Sequence, residues 1–97
     1  MAIDRSLDWR QRADEFDANE KRVLLALSHK KWLWRSLDNL ESVTRIEYDE
    51  LTSTLTGLLR KNLVMGSFAS WAQEPVFGLV ERNSPGYKKR VAPRPVR

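Results

Sequence analysis

Between Tyr48 and Asn62 the apolar residues Tyr48, Leu51, Leu55, Leu58 and Leu59 recur at i, i+3, i+7, i+10 and i+11. This spacing lays one apolar stripe along a helix of about four turns, and the stripe must be covered by other elements of the chain. Gly57 lies inside the repeat at a cost of about 1 kcal/mol relative to alanine. A bend or a close packing contact is therefore expected there.

The segments before this helix supply the cover. Asp17-Ala18-Asn19-Glu20 has an acceptor at a helix start and a glutamate three residues on, the reciprocal arrangement of a capping box. The helix it opens runs to about His29 and buries Val23, Leu24 and Leu27. Trp32-Leu33-Trp34 reads as a brief strand, with Trp34 assigned to the core. Ser36 then caps a short helix that turns Leu37, Leu40 and Val43 inward, and Thr44-Arg45-Ile46 forms the turn into the helix at Tyr48. Upstream, Trp9, Ala13 and Phe16 at i, i+4 and i+7 suit a further amphipathic helix over Ser6 to Phe16.

Downstream, the periodicity shifts from helix to strand. Leu63 to Phe68 and Pro75 to Val80 are two apolar, β-rich runs separated by a turn-rich stretch, which together read as a hairpin. Asn83-Ser84-Pro85-Gly86 and the prolines that follow cannot continue a core. The expected organisation is an N-terminal helical extension over 1–16, a folded domain over 17–82 and a basic disordered tail over 83–97.

Charge follows the same division. Residues 1–82 hold twelve Lys/Arg and all thirteen Asp/Glu, a net of −1, whereas Lys88, Lys89, Arg90, Arg94 and Arg97 give the last fifteen residues +5. The net charge of +4 is thus a property of the tail. The longest apolar run, Val23 to Leu27, is far short of the roughly 20 residues of a membrane span. The first residues lack a secretory signal, so a cytoplasmic location is expected. The absence of cysteine excludes disulfides and Cys-based zinc sites. A single histidine, His29, leaves no histidine triad or multi-histidine metal site to assemble. No glycine-rich phosphate loop is present, and the chain is expected to be neither an enzyme nor a cofactor or metal carrier.

The order of helices, short strand and hairpin resembles a bacterial winged helix-turn-helix domain, and particular residues sharpen the likeness. Trp32-Leu33-Trp34-Arg35-Ser36-Leu37-Asp38-Asn39-Leu40 looks like the W-x-W-R-[ST]-L-x-x-L segment that leads into the second helix of many such domains. Leu55-x-x-Leu58-Leu59-x-x-Asn62-Leu63-Val64 is similar to the third helix running into the first wing strand, and Pro75-Val76-Phe77-Gly78-Leu79 to the returning strand. The resemblance covers about residues 17 to 82. It implies a mainly α fold with a small β-hairpin: a three-helix core plus wing, with an extra N-terminal helix.

Two functional readings stand side by side. In the first the module binds DNA, with a regulatory or accessory role. Lys30, Lys31, Arg35, Arg60, Lys61 and the tail's Lys88, Lys89 and Arg90 grip phosphates, and Thr52, Ser53 and Thr56 read bases. The chain departs from base-reading domains where the third helix begins, at Glu47-Tyr48-Asp49-Glu50, and its hairpin has no Lys or Arg from Gly66 to Val80. The second reading is a protein-interaction module that uses the uncharged wing with Trp71 and the acidic front of the third helix, Tyr48 and Asp49 included. Homodimerisation through Trp9 and Phe16 is a variant of it.

Overall fold

The computed structural model describes residues 3–69 and 73–83. Helix α1 spans Ala18–Ala26, α2 Leu37–Thr44 and α3 Tyr48–Arg60. Strands β1 (Arg35–Ser36), β2 (Val64–Ala69) and β3 (Glu74–Leu79) form one antiparallel sheet in the order β1-β3-β2. A 3-10 helix, Asp8–Glu15, precedes α1, and a 3-10 turn, Glu81–Asn83, follows β3. The order is the one the resemblance implied.

The capping box of α1 forms as expected, with the Asp17 carboxylate accepting from the Glu20 amide at 2.8 Å and the Glu20 carboxylate accepting from the Asp17 amide at 3.0 Å. Val23, Leu24 and Leu27 are fully buried. The regular helix stops at Ala26 rather than His29, because the Ser28 amide bonds to the Leu25 carbonyl and tightens the last turn. Helix α2 begins at the Ser36 cap, whose hydroxyl accepts from the Asn39 amide at 3.1 Å. Its inward stripe is Leu37, Leu40 and Thr44 rather than Leu37, Leu40 and Val43, and Val43 is 48% exposed. The i, i+3, i+7 row takes the core side, and Val43 falls off it by most of a quarter turn. Thr44 tolerates burial because its hydroxyl donates to the Leu40 carbonyl at 2.6 Å.

Three further expectations are corrected. The N-terminal segment is a 3-10 helix, non-helical at Arg12, and it does not stand apart from the domain. Leu7, Trp9 and Phe16 lie in the same core cluster as the helices, so Trp9 and Phe16 are not available for self-association. The strand before α2 is Arg35–Ser36, not Trp32 to Trp34; Trp32 is 47% exposed and Trp34 is half-buried, outside the core cluster. Trp34 covers the sheet at Gly78, where an added Cβ would stand 3.0 Å from the indole and 2.8 Å from the Leu33 carbonyl oxygen. Gly57 shows no close packing, for α3 continues through it and nothing beyond the helix's own neighbouring backbone lies within 4 Å of the site of a Cβ.

The C-terminal 3-10 turn brings a charge into the interior. Arg82 is buried, and its guanidinium donates to the carbonyls of Leu27, His29 and Trp32 at 2.9 Å each and to that of Lys30 at 3.5 Å. The turn after α1, to which these carbonyls belong, also receives the N-terminal segment. The Asp4 amide bonds to the Ser28 carbonyl at 2.8 Å, Ile3 bridges His29, and the Trp9 indole N–H donates to the Ser28 hydroxyl at 2.9 Å.

Two stability changes of opposite sign are expected in denaturant titrations monitored by circular dichroism. Gly57→Ala raises stability by about 1 kcal/mol, since the helical glycine has no packing role. Arg82→Met lowers it by about 3 kcal/mol, since the buried Leu27 carbonyl and the part-buried carbonyls of His29, Lys30 and Trp32 lose a charged donor.

Candidate nucleic-acid interface

Helix α3 has one face in the core and one in solvent. Leu51, Leu55 and Leu58 are buried, and Asp49, Ser53, Thr56 and Arg60 project from the opposite side. The helix is held at its start by a three-residue turn. Arg45 adopts the left-handed conformation at φ 62°, its amide bonds to the Glu41 carbonyl, and Ile46 inserts into the core behind it. Tyr48, at the head of the apolar repeat, is exposed along with Glu47, Asp49 and Glu50, so the front of α3 is acidic and open.

The hydroxyls on α3 are not equivalent. Thr52 donates to the Asp49 carbonyl at 3.0 Å and Thr56 to the Thr52 carbonyl at 2.8 Å. With their protons engaged in the helix, both present acceptor lone pairs outward. Phosphate oxygens only accept, so these two threonines are suited to an amino group on a base edge and not to the backbone. Ser53 is exposed and in none of the described hydrogen bonds, so its hydroxyl is free to donate or accept.

The cations separate into two kinds. Arg60 is exposed in the last turn of α3, and Lys30 and Lys31 are exposed in the turn after α1, with the Lys31 ammonium 5.5 Å from the Trp32 ring centroid. Arg35 and Lys61 are engaged within the domain. The Arg35 Nε donates to the Ala26 carbonyl at 2.8 Å and an Nη to the Asn39 side chain, while burial pushes the guanidinium pKa below its usual value. Lys61 pairs with Glu20 at 2.8 Å and lies 5.6 Å from the Phe16 ring centroid. Glu20 stands in the first turn of α1 and Lys30 follows its last. Lys61 is thus tied to the start of α1, and the Lys30-Lys31 pair follows its end. The sequence-derived cations are therefore not equally free to meet a ligand: Lys30, Lys31 and Arg60 are exposed, while Arg35 and Lys61 are bonded within the domain. Trp71 and the tail residues Lys88, Lys89 and Arg90 lie outside the described residues.

The hairpin pairs Val64 with Leu79, Gly66 with Phe77 and Phe68 with Pro75. Val64 and Leu79 end in the core, but Phe68, two pleats further out on the same face, is 62% exposed. Sequence reasoning missed this residue. Counting by twos from the buried Val64 through Gly66 marks Phe68 as the apolar residue beyond the reach of the helices.

No protein-family model matches the sequence, and no curated protein does. Solved structures do match. BpsR of Bordetella bronchiseptica, whose DNA binding is regulated by 6-hydroxynicotinic acid, is 19% identical with a TM-score of 0.61 over 81% of this chain and 53% of its own. A MarR-family transcriptional regulator from Silicibacter pomeroyi is 18% identical, with a TM-score of 0.61 over 90% of this chain and 55% of its own. MepR of S. aureus is 15% identical, with a TM-score of 0.64 over 87% of this chain and 59% of its own. The chain folds as a winged helix-turn-helix domain. It spans between half and two thirds of the length of the structures it matches. In the terms of this fold, α2 and α3 are the helix-turn-helix, α3 is the helix with the open outer face, and β2 and β3 are the wing.

The division between engaged and open cations has a measurable counterpart. Lys61→Ala should lower stability by about 0.5–1 kcal/mol through the loss of a pair whose acid is nearly buried, while Arg60→Ala stays within about 0.5 kcal/mol of the parent in the same urea titration.

Proposed function

We propose that the protein is a non-catalytic DNA-binding winged-helix module with a regulatory or accessory role. The observation that carries the reading is the open outer face of α3, where Ser53, Thr56 and Arg60 face solvent beside Thr52 while the opposite side is anchored in the core. The fold it shares with transcriptional regulators supports the same reading.

The acidic front changes how such a helix meets a duplex. Glu47, Asp49 and Glu50 repel phosphates, so α3 approaches through its middle and last turns, with Arg60 on a phosphate and Ser53 and Thr56 toward base edges. A body of net charge −1 contributes little non-specific attraction. The affinity that depends on counterion release then falls to the tail, assisted by Lys30 and Lys31.

A second reading, a protein-interaction module, is favoured by the exposure of Tyr48 and Asp49 in the same acidic first turn. One experiment separates the two. Full-length protein is titrated into labelled duplex DNA across a salt series, beside the variants Lys88→Ala/Lys89→Ala/Arg90→Ala and Arg60→Ala. On the DNA reading, the tail variant flattens the slope of log K against log salt by up to about 2.7. Arg60→Ala weakens binding further and flattens the slope by about 0.9. A salt slope untouched by both variants, or no binding even at low salt, would sink the DNA reading and leave the protein-interaction one.

A further inference from the structure

Helix α1 is apolar on two sides. Val23, Leu24 and Leu27 face the core, and on the far side Leu25 and the stem of Arg22 form a second short stripe, flanked by Ala26 at the edge of the core and continued past the helix end by His29. Leu25 is 38% exposed, although a surface leucine in a nine-residue helix is easily replaced by a polar residue. Across from it stands Val43 of α2, the residue expected in the core and found in solvent. Together with Ile3, which is bridged to His29, these side chains line an open groove of about 450 Å³.

The charge around the groove has one sign. Arg22 and Arg35 line it, and no carboxylate does. Neither arginine has an acidic partner among the described residues, and Arg35 meets only neutral acceptors, the Ala26 carbonyl and the Asn39 side chain. A half-buried guanidinium without a counter-anion beside an apolar floor calls for a ligand that brings both apolar surface and negative charge.

We propose that this groove docks an acidic amphipathic helix of a partner protein, its apolar stripe on Leu25, Ala26 and Val43 and its carboxylates on Arg22 and Arg35. The i, i+3, i+4 spacing on α1 is the ridge against which a second helix packs, and the channel between α1 and α2 runs along it. Three other occupants fit less well. The chain's own tail carries only positive charge and meets like charge at Arg22 and Arg35. A two-fold pairing of this face with itself would set the same arginines against each other. A nucleic acid has no use for the aliphatic floor. Because the groove lies on the side of α1 away from the core that α1 shares with α3, its occupant leaves the outer face of α3 open. The proposal therefore stands independently of the DNA-binding reading.

The test is fluorescence anisotropy of the full-length chain with two labelled helical peptides of roughly 14 residues, about four turns. Both carry leucines at i, i+3, i+4 and i+7, flanked by glutamates in one and by lysines in the other. Saturable binding of the glutamate peptide is expected, weakened about tenfold by Leu25→Asp, Val43→Asp or Arg22→Glu, with the lysine peptide binding about tenfold more weakly than its counterpart. Both aliphatic residues are exposed, and circular dichroism checks that each variant folds. Absence of binding, equal binding of the two peptides, or indifference to all three substitutions overturns the proposal. So does sedimentation showing a dimer of the free chain that Leu25→Asp dissolves, which would assign the groove to a second copy. DNA binding measured in parallel should be unchanged by Leu25→Asp, so failure of one reading is distinguishable from failure of the other.

Discussion

The arrangement of this domain depends on the guanidinium of Arg82. The chain leaves α1 through a turn whose residues Leu27 and Ser28 are fully buried, and the end of any helix presents carbonyls without intrahelical donors. Water reaches a buried turn poorly, so the donors must come from the protein. Arg82 supplies them from the far end of the chain, to four carbonyls between Leu27 and Trp32. That set of bonds fixes the end of β3 against the end of α1. Since β3 is the central strand, paired with β2 on one side and with β1 on the other, the whole sheet takes its position from the same contact. The N-terminal segment converges there as well, with Trp9 on Ser28 and Asp4 on the Ser28 carbonyl.

The helices and hairpin were legible in the sequence because their signals are local. A capping box needs only Asp17 and Glu20, a heptad-like stripe only Leu51, Leu55 and Leu58, and a hairpin only two β-rich runs with a turn between. What was not legible depends on contacts distant in sequence. Arg82 looks like one more surface cation at a domain boundary, and nothing near it in the chain announces four carbonyls some fifty residues away. Val43 and Thr44 show the limit within a helix. Hydropathy favours burying the valine, but the phase set by Leu37 and Leu40 buries the threonine, whose hydroxyl finds the Leu40 carbonyl. Trp34 was drawn to the core by its size, whereas its place was decided by a glycine on a strand more than forty residues later.

The candidate interface was legible in the same uneven way. Ser53, Thr56 and Arg60 follow from knowing which side of α3 is apolar, and they share its solvent side, with Thr52 half-buried at the flank. The cations do not follow from their identity. Arg35 and Lys61 carry the same charge as Lys30 and Arg60, but one is bonded to the end of α1 and to α2, and the other to Glu20 at the start of α1. Counting positive residues overstates what a surface offers when part of the charge is used to hold helices together.

This use of charge explains why the balance of the chain is divided as it is. The described body combines nearly equal numbers of acids and bases, and two of its arginines are turned to its own backbone. Arg82 and Arg35 act as backbone donors at the two sides of the α1 terminus. Bonds to neutral carbonyls fix where these charges sit without cancelling them; the body lacks a broad positive field because its thirteen acids offset its twelve bases, and the acids at the front of α3 weaken the field further where a duplex would approach. Long-range attraction then falls to the stretch where positive charge is not balanced, and the chain places five cations, with no acid, after Asn83. On the proposed reading, the tail governs how readily the protein meets a polyanion. The neutral, shape-defined face of α3 governs where it stays.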